Sequence, residues 1–165
     1  MRILGIDPGI GRTGWGIIDV QGAKNKAHSY GCIETLASVL LPQRIQMLYE
    51  QLAKIVQEND PEELAIEELF FNTNAKTALI VGQARGVVLL LAAQRHIPIA
   101  VYTPLQVKIA VTGYGRAEKR QVEKMVETML TIDKKPKYDD TYDALAIALT
   151  HAFSRKMREQ KKKGA

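Results

Sequence analysis

The stretch RILGIDPGIGRTGWGIIDV, residues 2–20, decides the fold. Its opening residues, Arg2 to Ile6, form a short apolar run that is typical of a buried strand. Asp7 follows at the end of that strand, and a proline and two glycines after it predict a turn. A second strand is expected at about 13–20. Because a buried strand has no structural need for a charge at its end, Asp7 is the first candidate functional residue.

The composition predicts one globular domain. The chain has 165 residues, 46% of them hydrophobic and 25% charged, which suits a single core. No apolar run long enough to span a bilayer is recognised in the sequence, so we expect no membrane span and a cytoplasmic location. Cys32 is the single cysteine, which excludes an internal disulfide and a cysteine-based metal cluster. The net charge of +5 is compatible with nucleic acid. We expect the domain to span 1–153, followed by a flexible basic tail at 154–165.

The order of the elements predicts an α/β domain. The connections between the first three strands are short, so these strands should form an antiparallel meander. The third strand is expected at about 27–35, and further strands near 63–68 and 97–102. Helices are expected near 42–58, 75–95, 104–111 and 117–130, and a last helix from 139. Strands that then alternate with helices indicate a mixed five-stranded sheet flanked by helices.

Carboxylates recur where this sheet should end. Asp7 ends the first strand and Glu67 ends the fourth. Because each of these strands has an apolar core and is followed by a polar turn, we expect them to be central neighbours in the sheet. Sites in open α/β sheets form outside the carboxyl ends of strands. Asp140 and Asp143 are three residues apart, so they share one face of the last helix. Each acid also has a structural interpretation: Asp7 could cap its turn, Glu67 could be a solvated strand end, and Asp139 or Asp140 could cap the helix. The joint pattern favours a site.

A cluster of carboxylates favours divalent cations. Neighbouring carboxylates repel one another and raise each other's pKa, and bound cations would offset that charge. Oxygen ligands suit Mg²⁺ or Mn²⁺. Two such ions can stabilise the attacking and leaving oxygens of a phosphodiester. The acids therefore predict a metal-dependent phosphodiesterase site.

Four motifs extend this prediction to a family. The segments GIDPGIGRTGWGII, AIEELFFNTNAKTALIVGQARG, QVKIAVTGYGRAEKRQV and DDTYDALAIALTH together resemble the RuvC Holliday-junction resolvases. The resemblance implies a ribonuclease H-like fold, a homodimer, and a Mg²⁺-dependent endonuclease in which Mn²⁺ can substitute. It implies a four-way DNA junction as substrate and a branch-migration motor as partner, in recombination and repair. The family's acidic positions match Asp7, Glu67, Asp140 and Asp143.

The resemblance also assigns DNA contacts. The family's basic positions near DNA match Lys108 and Lys119, and its aromatic residue near the junction crossover matches Phe70. Phe71 follows directly, so the role is left between two rings. Arg116 lies in the loop TGYGRAEK, whose glycines would let the backbone approach a phosphate.

Three other functions remain open at this stage. The chain could be another ribonuclease H-like nuclease that acts on RNA or linear DNA. A non-catalytic DNA-binding module would explain the charge but not the acids. A fragment of an actin-like or sugar-kinase ATPase also places Asp-x-Gly after a first strand, but those proteins need a second domain, for which this chain is too short.

Overall fold

The first three strands form the predicted antiparallel meander. In the computed structural model, which describes residues 1–22, 24–68 and 75–163, they are β1 (Arg2–Asp7), β2 (Arg12–Gln21) and β3 (Lys24–Glu34). β1 pairs with β2, and β2 pairs with β3, both antiparallel.

The rest of the described chain alternates helices with two more strands. These elements are α1 (Leu41–Asn59), β4 (Glu63–Glu67), α2 (Ala75–Gln94), β5 (Ile99–Tyr102), α3 (Pro104–Thr112), α4 (Lys119–Met129) and α5 (Asp139–Lys163). Over the described residues the sheet has five strands in the order β3-β2-β1-β4-β5. β4 runs parallel to both β1 and β5. The predicted mixed sheet is confirmed, and β1 and β4 are central neighbours as expected.

The two faces of the sheet carry different helices. Leu4 and Ile6 of β1 pack into a core with α1 and α2, whereas Ile3 packs into a second core with α3, α4 and α5. Because side chains alternate along a strand, Asp7 is on the same face as Ile3. Ala65 of β4 lies in the α5 core, so Glu67, two residues later, also faces α5.

Glycines let α5 lie unusually close to this sheet. A Cβ at Gly5 would collide with the carbonyl oxygen of Ala144 and lie 2.8 Å from the backbone nitrogen of Ala148. A Cβ at Gly14 of β2 would likewise collide with the carbonyl of Asp140. The first turns of α5 are therefore held against the ends of β1 and β2, where Asp7 lies.

The outer face of α2 stays exposed. By length and composition alone, the window Thr77–Gln94 is apolar enough to cross a membrane, which the sequence analysis did not predict. In the structure, Val88 and Leu91 are buried in the core, yet only 28% of that window is buried. α2 is thus a core helix on one side and carries apolar side chains on the other.

We predict that Gly5→Ala lowers the free energy of unfolding by about 3 kcal/mol, because the added methyl meets helix backbone that can move only with all of α5. Urea unfolding measures this change. Gly11→Ala is the matched control: its Cβ would meet only the Arg44 side chain at 3.8 Å, so a change within about 0.5 kcal/mol is expected. Equal effects of the two variants would contradict the close packing of α5.

Candidate active site

The sheet positions two of the four predicted acids. Ile6 and Ile66 are register partners in the parallel pair of β1 and β4. Asp7 and Glu67 are the next residues of these strands, so their side chains leave the same edge and the same face of the sheet. This is the geometry that the strand ends predict.

Helix α5 supplies the other two acids. Asp140 and Asp143 lie in its first turns, and the backbone of Asp140 lies against Gly14 of β2. Both acids, together with Glu67, act electrostatically on Asp7. The structure therefore brings together all four carboxylates that the sequence singles out.

Burial and mutual repulsion raise the pKa values of three of these acids, Asp7, Glu67 and Asp143. Burial raises the pKa of Asp7 to about 8, with further contributions from Asp143, Glu67 and Asp140. Burial and Asp143 raise the pKa of Glu67 to about 7, although Lys119 opposes the change. Burial also raises the pKa of Asp143 above its usual range. Added positive charge near Asp7, Glu67 and Asp143 would therefore favour their ionised forms.

Lys119 supplies part of that positive charge. Its Nζ lies 2.8 Å from Oδ2 of Asp139 and 2.8 Å from Oδ2 of Asp143. Burial alone would lower the pKa of Lys119, but these two hydrogen bonds raise it above its usual value. Lys119 begins α4, whose start is fixed by a capping box between Glu118 and Gln121. The ammonium is thus held at the edge of the acid cluster.

A cleft of about 220 Å³ opens beside these groups. It is lined by Glu67, Pro104, Val107, Lys108, Lys119, Val122, Asp143 and Ile147. Two of the predicted DNA contacts, Lys108 and Lys119, therefore share one cleft with two of the predicted acids. Acidic and basic side chains meet in it, as a site for a phosphate and a cation requires.

Asp139 and Asp140 differ in their surroundings. The Asp139 carboxylate accepts hydrogen bonds from Lys119 and from the backbone N–H of Asp140. Asp140 Oδ2 is buried without a hydrogen-bond partner, and the nearest cation is the guanidinium of Arg12, whose Nη1 lies 3.6 Å away. Asp140, and not Asp139, contributes to the raised pKa of Asp7. This environment favours Asp140 as the member of the pair that belongs to the site.

The donor set fits a divalent cation. Mg²⁺ and Mn²⁺ are bound mainly by oxygen ligands, and the buried Oδ2 of Asp140, which has no hydrogen-bond partner, would be available to such an ion. Among the described residues no three acids, histidines or cysteines are already arranged as a metal cage. Lys119 instead bonds one of the four carboxylates, that of Asp143, so ion binding there would require this ammonium to move.

The remaining predicted residues lie elsewhere. Arg116 is exposed in the loop between α3 and α4 and is not among the described residues that line the cleft. Phe70 and Phe71 lie outside the described residues. Arg12 reaches Asp140, although the sequence analysis does not single it out. Its position in the turn after Asp7 was the available signal.

We predict that Asp7→Asn stabilises the metal-free protein at high pH. A carboxyl whose folded-state pKa is raised from 3.8 to about 8 binds its proton more tightly in the folded state, so wild-type stability falls as pH rises between these values. Urea unfolding in EDTA at pH 5.5 and 8.5 should show that the free energy of unfolding decreases less for the variant than for the wild type. The same decrease in both proteins would show that Asp7 is not in a charged cluster.

Comparison with known proteins identifies the family. The family model for crossover junction endodeoxyribonuclease RuvC matches residues 3–151. The crossover junction endodeoxyribonuclease RuvC of Alkaliphilus oremlandii is 52% identical over 93% of this chain and 94% of its own, and that of Finegoldia magna is 49% identical over 96% of both. The structure of T. thermophilus RuvC in complex with a Holliday junction substrate superposes with a TM-score of 0.90 at 37% identity, covering 95% of this chain and 96% of its own. The chain therefore belongs to the RuvC family of crossover junction endodeoxyribonucleases.

Proposed function

We propose that this protein is a metal-dependent endonuclease that resolves four-way DNA junctions by paired symmetric nicks. The observation that carries the proposal is the cluster of Asp7, Glu67, Asp140 and Asp143 beside a cleft with two lysines. A relative that matches 95% of this chain has been solved with a Holliday junction substrate. A DNA-binding module without activity would have no use for four mutually repelling carboxylates.

The four acids are proposed to hold Mg²⁺, with Mn²⁺ able to substitute and two ions in each site. When bound, such ions would offset the carboxylate charge and stabilise the charge that develops during phosphodiester hydrolysis. The protein's own contribution is to hold the carboxylates on rigid strands and a helix, so that little reorganisation is needed. Lys108 and Lys119 would offset the charge of the phosphate in the cleft.

The outer DNA contacts remain proposals, Phe70 from the family resemblance and Arg116 from its place in a basic loop that contains two glycines. Phe70 would stack on a base opened at the junction centre, because an aromatic ring can stack on any base. Arg116 would contact backbone phosphates from its exposed loop. A branch-migration motor is proposed as partner, and the DNA substrate suggests the cytoplasm as location. The domain limits of 1–153, with a flexible tail at 154–165, also stay predictions.

A cleavage assay tests the proposed function. A four-way junction, a linear duplex, a single strand and an RNA–DNA hybrid are each incubated with the protein, with Mg²⁺ or with EDTA. We expect paired nicks at symmetric positions in the junction with Mg²⁺ only. Preferred cutting of the hybrid or the duplex would favour the other ribonuclease H-like nucleases, and binding without cutting would favour a DNA-binding module.

We predict that Asp140→Asn reduces single-turnover junction cleavage by at least about a hundredfold, because it removes a proposed metal ligand. Asp139→Asn is the matched control on the neighbouring residue. It should keep most of the rate and cost at most about 1 kcal/mol of stability, because an acid at this position acts on the helix terminus. If Asp139→Asn is the inactive variant, the assignment of the helix acids is wrong.

A second copy of the chain is the proposed partner of α2. Leu79 and Leu90 are 66% and 53% exposed, and Gly86 between them is exposed with open space beside its Cα. The spacings of seven and four residues place all three on one stripe of the helix, as in paired helices. A four-way junction has approximate two-fold symmetry, so a two-fold dimer would supply one site for each nick.

We predict that Leu90→Glu weakens the dimer by more than tenfold in dissociation constant, because it buries a charge at the centre of the helix pair. Sedimentation equilibrium measures the change. Leu36→Glu is the control, since Leu36 is 70% exposed but precedes α1 and is not on this stripe. Equal dissociation constants for the wild type and Leu90→Glu would exclude α2 as the interface.

A further inference from the structure

The loop at residues 131–138, between α4 and α5, is fastened along strand β3. Thr131 forms a parallel bridge with Lys26. The Tyr30 hydroxyl donates a hydrogen bond of 2.7 Å to the carbonyl of Lys134 and accepts one of 3.0 Å from its backbone N–H. These contacts hold the loop in one path along the strand.

The third contact between the loop and β3 lies beside the acid cluster. The Tyr138 hydroxyl donates a hydrogen bond of 2.6 Å to Oε1 of Glu34. Tyr30 and Glu34 are four residues apart on β3, beyond the bulge at 27–29, so their side chains lie on one face of the strand, whereas the Thr131–Lys26 bridge is a backbone contact. The side chains of this loop are therefore presented from a fixed backbone.

Tyr138 brings two cations together. The guanidinium of Arg12 lies 4.8 Å from the centroid of its ring, and Nζ of Lys137 lies 4.7 Å from it. Cation–π contact stabilises each of them, but the two like charges repel one another. Asp140 compensates Arg12 only in part, at 3.6 Å. A site of this kind favours an anion.

Further lysines line a cavity at the same place. A space of about 240 Å³ between β3 and the loop is lined by Tyr30, Gly31, Cys32, Lys134, Lys135, Pro136, Lys137, Tyr138 and Thr141. Lys135 is paired with Glu127 at 3.1 Å. Within the part of the chain that the structure describes, neither Lys134 nor Lys137 has a carboxylate at ion-pair distance. Positive charge therefore remains available at this cavity.

We propose that Arg12, Lys137 and the Tyr138 ring between them bind a backbone phosphate next to the one that is cut, with Lys134 adding charge nearby. The inference rests on the proposed function, because it assigns part of the DNA path over the same acids. The Arg12 guanidinium can bind phosphate oxygens with two parallel hydrogen bonds.

The basic cluster, formed by Arg12, Lys134 and Lys137, lies on a different side of the acids from the Lys108–Lys119 cleft. Lys119 bonds Asp143, whereas Arg12 lies against Asp140, and no lining residue is shared between the two cavities. One strand could thus pass from the cleft, across the carboxylates, to Tyr138. The second cluster would fix the register of the strand at the acids, because phosphate contacts position the DNA without reading its sequence.

Binding as a function of salt tests the charge contribution. Junction binding is measured in Ca²⁺, in which we expect no cleavage, for the wild type and for Arg12→Gln/Lys137→Gln. The double variant should bind about tenfold more weakly at moderate salt, and its slope of log affinity against log salt should be smaller by about one. Lys54→Gln is the control, because Lys54 forms an exposed ion pair with Glu58 on α1. A slope equal to that of the wild type overturns the proposal.

Uncharged methylphosphonate substitutions in the DNA locate the phosphate that the basic cluster contacts. A series of junctions, each with one methylphosphonate near the cut site, is bound to the wild type and to the double variant. We expect one position next to the cut phosphate to weaken wild-type binding and to have no further effect on the variant. Equal losses for both proteins at every position would overturn the assignment.

One control variant and one comparison of substrates keep the outcomes distinct. Lys137→Gln alone changes an exposed residue, so a partial loss from it excludes misfolding as the cause. A wild type that binds duplex as well as junction and cuts neither would refute the proposed function. The salt slope and the methylphosphonate series would still decide whether Arg12 and Lys137 hold a phosphate, because they require DNA binding only.

Discussion

The site depends on the close approach of α5 to the sheet. Gly5 and Gly14 leave room for the helix backbone, and side chains at these positions would collide with Ala144 and Asp140. This contact sets where the first turns of α5 lie relative to the ends of β1 and β4. A longer distance would separate the helix acids from Asp7 and Glu67, and the raised pKa values of the cluster would be lost with it.

The same contact brings carboxylates close together, and cationic side chains offset part of the repulsion between them. Burial and repulsion raise the pKa of Asp7 to about 8 and that of Glu67 to about 7. Lys119 lies against one side of the cluster and Arg12 against another. Two cationic side chains offset part of the charge of four acids. The remainder is the physical reason to propose divalent cations, and the same basic groups then suit a DNA backbone that runs past them.

Much of this arrangement could be predicted from sequence because its signals are local. Apolar runs and helical spacing predicted the strands and helices. Asp7 and Glu67 were recognisable because each follows a buried run, and Asp140 and Asp143 because three residues place them on one helix face. The adjacency of β1 and β4 followed from two apolar strands with polar ends. Phe70 stays a prediction, because it lies outside the described residues.

The rest depends on contacts between distant parts of the chain. Tyr30 bonds Lys134, 104 residues later, and this bond, with the Thr131–Lys26 bridge and the Tyr138–Glu34 bond, shows that the basic loop lies along β3. From the sequence, Arg12 is predicted to be a turn residue. The structure places its guanidinium against Tyr138 and Asp140. Helix α2 likewise carries apolar residues on more than one face, and only the structure shows which of them the core covers.

The central claim is that the four carboxylates converge in order to hold divalent cations. A crystal of the wild-type protein soaked in Mn²⁺ and measured at the manganese absorption edge tests it most directly. The account predicts anomalous peaks bounded by Asp7, Glu67, Asp140 and Asp143, with the Lys119 ammonium displaced from Asp143. A crystal in which manganese binds elsewhere, and Lys119 stays on Asp143, would contradict it.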